Sequence, residues 1–72
     1  MNSQHSIILT WMRKRPITAM AGFDSLGIVN LSGRIAELRQ RGYEIENVWK
    51  TANNRHGQQT RFVQYILVSE PS

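Results

Sequence analysis

Cysteine is absent from the 72-residue chain, so neither a disulfide framework nor a thiolate zinc site can staple it. Stability therefore has to come from packing, and the absence fits a reducing compartment. Carboxylates are few, five in all, and form no paired arrangement for general acid–base work. His5 and His56 lie far apart in the chain without flanking carboxylates at ligand spacing. No glycine-rich loop of the phosphate-cradling kind occurs. These absences argue against an enzyme and against a metal site or cofactor. No apolar run approaches the length of a membrane span, and the start Met1-Asn-Ser-Gln-His5 lacks the cationic and long apolar regions of a signal peptide. The expectation is a soluble, cytoplasmic chain without a membrane partner.

With 40% hydrophobic residues, a chain of this length can enclose one small core. We expect one domain over residues 1–72, ordered from about 4 to 68. Nine Lys and Arg against five Asp and Glu leave a net charge of +4, and seven of the nine cations are arginine. That balance suits a polyanion, and arginine's planar fork suits phosphate and guanine. The cations group at Arg13-Lys14-Arg15, from Arg34 to Arg41, and from Lys50 to Arg61.

The segment from Gly27 to Gly42 carries the strongest pattern. Leu31, Ile35 and Leu38 recur at i, i+4 and i+7, so one face of a short helix is buried while Arg34, Arg39 and Arg41 ride on its flanks. Upstream, Thr18 to Leu26 reads as another short helix, capped by Thr18 and directing Met20, Phe23 and Leu26 inward. Gly27 is its left-handed stop. Gly22 inside it costs about 1 kcal/mol relative to alanine, which close approach of the following helix would explain. Two short helices joined by a four-residue turn form a helix-turn-helix, whose second member enters the DNA major groove.

A first helix runs from Ser3 to about Lys14 with Ile7, Ile8, Trp11 and Met12 at helical spacing, and Pro16 ends it. Its basic end reads either as solvated charge complementing the helix dipole or as a phosphate contact. Pro16-Ile17 is extended and able to add a short strand. After Gly42, the stretches Tyr43–Thr51 and Thr60–Val68 are rich in β-branched and aromatic residues around a polar segment, Ala52–Gln59. This predicts a hairpin with a long tip, Ile45, Val63, Tyr65 and Leu67 facing inward, and a frayed tail from Ser69. The predicted architecture is α+β, a winged helix-turn-helix of three helices and a C-terminal hairpin wing, with a short extra strand after the first helix.

Ile17-Thr-Ala-Met-Ala-Gly-Phe-Asp-Ser-Leu-Gly-Ile28, Leu31-Ser-Gly-Arg-Ile-Ala-Glu-Leu-Arg39, Gly42-Tyr-Glu-Ile45 and Tyr65-Ile-Leu67 resemble a family of small winged helix-turn-helix proteins frequent in bacteriophages and prophages. The likeness covers about Ile8 to Val68 and implies DNA binding with the third helix as reading element. The chain departs from that pattern at Gly22, where the family usually shows alanine, and at Gly33, where alanine is common.

The candidate DNA-binding residues follow from placement. On the third helix, Asn30, Ser32, Gly33 and Arg34 stand at the end that enters a groove first, with Glu37, Arg39, Gln40 and Arg41 behind them. Arg34 has an alternative as an ion pair with Glu37 or Glu46, and Asn30 as a plain N-cap. On the hairpin, Lys50, Asn53, Asn54, Arg55, His56 and Gln58 suit phosphates or the minor groove, or else form a solvated loop. The expected partner is double-stranded DNA, bound by a transcriptional regulator or recombination accessory factor in a bacterial host. Such proteins often act as homodimers, although no heptad or dedicated dimer helix is present. The rival reading is a protein-interaction module, an adaptor or inhibitor of a host enzyme, that binds through Trp49, Phe62 and the hairpin. A third, single-stranded nucleic acid, is disfavoured because the aromatics are needed inside.

Overall fold

The computed structural model describes residues 3–71. Its elements run α1 (Ser3–Met12), β1 (Ile17–Thr18), α2 (Ala19–Leu26), α3 (Leu31–Gln40), β2 (Glu44–Asn53) and β3 (Gln59–Ser69). The three strands form one antiparallel sheet in the order β1-β3-β2, so the two residues after Pro16 do add a strand, pairing Ile17 with Tyr65 and Thr18 with Gln64.

One core joins the layers. α1 packs on β1 and β3, whereas α3 lies against α1, α2 and β2. Ile8, Leu9 and Met12 from α1, Ile17, Ile28, then Leu31, Ile35 and Leu38 from α3, and Ile45 and Tyr65 from the sheet are all buried. Val63 and Leu67 pack partly against them. The α1 stripe differs from the one expected. His5, Ile8, Leu9 and Met12 occupy i, i+3, i+4 and i+7, and Ile7 is turned out at 43% exposure. A histidine among aliphatic positions breaks the apolar pattern that a sequence reading follows, and the inward stripe is shifted by about a third of a turn.

α2 also faces the other way. Met20 and Phe23, expected inside, are 73% and 60% exposed, while Gly22 is buried and Ala21 and Leu26 pack partly on the core. The reason is the closeness of α3: a Cβ at Gly22 would sit 3.6 Å from Leu31, so only small residues fit between the helices. Thr18 caps α2 by accepting from Ala21 N–H at 3.0 Å, and Gly27 ends it at φ 69°. Ile28 in the four-residue turn is buried beneath both helices.

α3 stops in a Schellman arrangement: Gly42, at φ 100°, donates to Arg39 O and Tyr43 N–H reaches Leu38 O. The chain then enters β2, which pairs with β3 from Ile45 opposite Leu67 to Asn53 opposite Gln59 after a bulge at Glu44/Ile45. The strands therefore zip past the expected limits, leaving only residues 54–58 as the tip. The tail is also tied, not frayed as expected. Ser69 closes β3 with its hydroxyl on Glu44, and Glu70 holds Arg13 through two hydrogen bonds of 2.7 and 2.9 Å. Ser72 lies outside the described residues.

Candidate nucleic-acid interface

The buried stripe of α3 leaves Ser32, Gly33, Ala36 and Gln40 on the outward side. They are small or uncharged, so the helix backbone can approach a surface closely. Arg34 and Arg39 lie on the two shoulders and are held there.

On the α1 shoulder, Arg34 donates to Gln4 Oε1 at 3.0 Å and to Glu37 Oε1 at 2.6 Å. The same Glu37 oxygen accepts from His5 Nε2 at 2.7 Å, although the imidazole is almost wholly enclosed. Donation first from Arg34 and then from His5 pulls the Glu37 carboxyl below the ordinary carboxylate range. Arg34 thus adopts the ion pair with Glu37 that competed with base contact, and a base contact from it requires that pair to open. Glu37 is the hub between α1 and α3, not a free acceptor. The part played by His5 went unread in the sequence because no spacing rule joins residues 32 apart.

On the sheet shoulder, Arg39 clasps β2, giving Nε and Nη2 to Ile45 O at 3.2 and 2.7 Å and Nη2 to Asn47 Oδ1. Asn47 was not among the candidates. At the N-terminus of α3, Asn30 accepts from Gly33 N–H at 3.2 Å, so its oxygen is a true N-cap. Gln40 and Arg41 are exposed at the other end.

The hairpin differs in kind. It continues beyond the helices, and the molecule is 45 Å long against 22 and 20 Å across. Lys50 and Asn53 belong to β2, not to a loop, while Arg55, His56 and Gln58 are exposed at the tip. Asn54 builds that tip: its side-chain oxygen accepts from His56 and Gln58 N–H at 2.9 and 3.0 Å, and Gly57 takes φ 77°. From Asn47 to Ser69 the hairpin contains Lys50, Arg55 and Arg61 and no carboxylate. Trp49 shares the inward face with Ile45 but lies beyond the body, 61% exposed, with the Arg61 guanidinium 5.2 Å over its ring. Phe62 opposes Lys50 and so projects to the other face, which divides the Trp49–Phe62 patch of the rival reading between two sides.

At the far end of α1, Arg13 is engaged by Glu70, whose carboxyl it draws below the usual range, and Arg15 stacks 4.9 Å over Trp11. Among the described residues, no three His, Cys, Asp or Glu gather to hold a metal ion, and no helix is long and apolar enough to cross a membrane.

The model of a family described as a winged helix-turn-helix domain matches residues 3–70. No curated protein and no solved structure matches the chain.

Proposed function

We propose that this chain, which belongs to the winged helix-turn-helix family, binds double-stranded DNA. α3 lies in the major groove through Ser32, Gly33, Ala36 and Gln40, Arg34 reaches a base edge once its pair with Glu37 opens, and Arg39 and Arg41 line the flank that faces phosphates. The wing reaches the backbone or minor groove through Asn53, Arg55, His56 and Gln58. Lys50 and Asn54 drop out of the first rank, the one because it points to the outer sheet face, the other because its side chain makes the turn.

The observation that carries this reading is a hairpin free of carboxylates from Asn47 to Ser69, standing beside a helix whose outward face is uncharged. A groove admits such a helix closely, and the flanking cations supply the counterion-releasing contacts that dominate affinity. Arg39 is fixed by Ile45 O and Asn47, which limits the rotamer freedom lost on binding. The biological role that fits the resemblance is a regulator of transcription or an accessory factor that shapes DNA for recombination, in a phage or prophage setting inside a bacterial cell.

Mobility shift with selection from random duplexes tests the reading. A retained sequence family whose affinity falls steeply with salt supports it; absence of duplex binding at low salt overturns it. The second reading, a module that docks on another protein, is favoured by the exposed Trp49 ring. It gains ground if Trp49→Ala abolishes capture of a partner protein while duplex binding was never present.

A further inference from the structure

The outer face of the sheet is apolar where a sheet covered on one side should be polar. Residues of β2 and β3 that alternate away from the core form rows across the hairpin: Glu46 beside Ile66, Val48 beside Gln64, Lys50 beside Phe62. Val48, Phe62 and Ile66 are partly exposed and Val68, further along, is 53% exposed. Among the described residues no helix covers this face, since the core against which α1, α2 and α3 pack takes Ile45, Val63, Tyr65 and Leu67 from the opposite one. The geometry points to a second copy of this chain as its occupant, packed sheet to sheet about a two-fold axis through the Val48–Gln64 row.

The charge pattern selects that occupant. A two-fold axis lying in the interface and crossing the strands reverses their direction and keeps β2 facing β2. The Glu46 row of one copy then meets the Lys50 row of the other. Glu46 faces the partner's Lys50 twice, Ile66 faces the partner's Phe62 twice, and Val48 and Gln64 each meet themselves. The patch is self-complementary in both charge and apolar area, as an isologous interface requires. Glu46 and Lys50 stand four residues apart on one extended strand, too far to pair within a chain. Twisted sheets pack face to face in this aligned fashion.

One consequence bears on DNA. α3 lies on the β2 side, where Arg39 grips Ile45 and Asn47, and the axis leaves β2 on the same side in both copies. Both α3 helices therefore come to the same side of the dimer, as two half-sites on one duplex demand. A hairpin-sized interface falls in the small class, below about 1,200 Å², so the dimer dissociates on dilution.

Sedimentation velocity over a concentration series, without DNA, tests this independently of the DNA-binding reading. The wild type is expected to shift from 8.3 kDa to twice that mass as concentration rises. Ile66→Glu, checked for folding by circular dichroism, should remain monomeric throughout. E46K and K50E should each weaken dimerisation, and the double exchange should restore it, an outcome that a mere folding defect cannot give. A wild type that stays monomeric at the highest concentration overturns the proposal and leaves the face to another protein. A dimer untouched by Ile66→Glu, or one that the charge exchange fails to weaken and restore, overturns it equally. Failure here leaves duplex binding by the monomer intact, whereas loss of duplex binding leaves the mass result unaffected.

Discussion

α3 and the wing carry similar numbers of cations and hold them in opposite ways. On α3, Arg34 and Arg39 are clasped by Glu37, Gln4, Ile45 and Asn47, so each guanidinium also joins the helix to a neighbouring element. On the wing, Arg55 stands at an exposed tip and Arg61 rests on a tryptophan ring. Arg34 and Arg39 are positioned by hydrogen bonds, whereas on the wing Arg55 is exposed and Arg61 is placed by its contact with Trp49. The difference follows from where the core ends: burial beside α3 brings carbonyls and carboxylates within reach of its arginines, whereas the hairpin from Asn47 to Ser69 contains no carboxylate to pair with its cations.

The largest effect that exposes this contrast is on stability. Leu38, wholly buried under α3, should cost about 2 to 5 kcal/mol when cut to alanine, enough to unfold much of a domain this small. Replacing the tip, residues 54–58, by a two-residue turn should leave the thermal midpoint close to wild type, because loop length costs little and the tip packs on no core residue. A cooperative melt lost in the second variant would erase the distinction between body and wing.

Next in size is DNA recognition. Arg34→Ala should lose about 1 to 3 kcal/mol on the preferred site with a smaller loss on random duplex, since it removes the donor that leaves Glu37 for a base edge. Arg55→Ala should weaken every sequence alike and reduce the salt slope by about 1. Titrations of both variants on specific and random duplexes across a salt series compare them. Equal, sequence-blind losses would place both arginines on phosphate.

The Glu37 hub offers a pH test. Its carboxyl is drawn below the ordinary value in the folded chain, so its share of stability is full above that value and fades as pH falls through the depressed one. Glu37→Gln should melt earlier than wild type near neutrality, and the gap should close on acidification through the carboxylate range. A gap constant with pH would mean that the links to Arg34 and His5 contribute no charge interaction.

The smallest effects concern the two glycines of the helix pair. Gly22→Ala should stabilise by up to about 1 kcal/mol, because the added methyl meets Leu31 at ordinary contact distance. Gly33→Ala should show no such gain, because the methyl overlaps the Asn30 side chain and displaces the cap. Denaturant midpoints of the two variants decide it. Alanine is common in the resembled family at both positions, and the surroundings accept it readily at only one.

Element identity was legible in the chain because it rests on local chemistry. Period 3.6 in Leu31, Ile35 and Leu38, the caps Thr18 and Asn30, the stop Gly27, and β-branched runs on either side of a polar tip all act within a few residues. The four-residue turn, the strand after Pro16 and the order of elements followed from them. Orientation did not. Met20 and Phe23 are larger and more apolar than Ala21 and Gly22, so a pattern reading directs them inward, yet the closeness of α3 admits only the small pair. The Glu37 hub, the grip of Arg39 on β2 and the division of Trp49 from Phe62 likewise depend on which surfaces meet and in which register, and no local rule contains that information. The sequence by itself determined the parts, their caps and the excess of positive charge. Only the tertiary structure decided which arginines are bound and which are free, because a side chain's partners are set by distance in space and not along the chain.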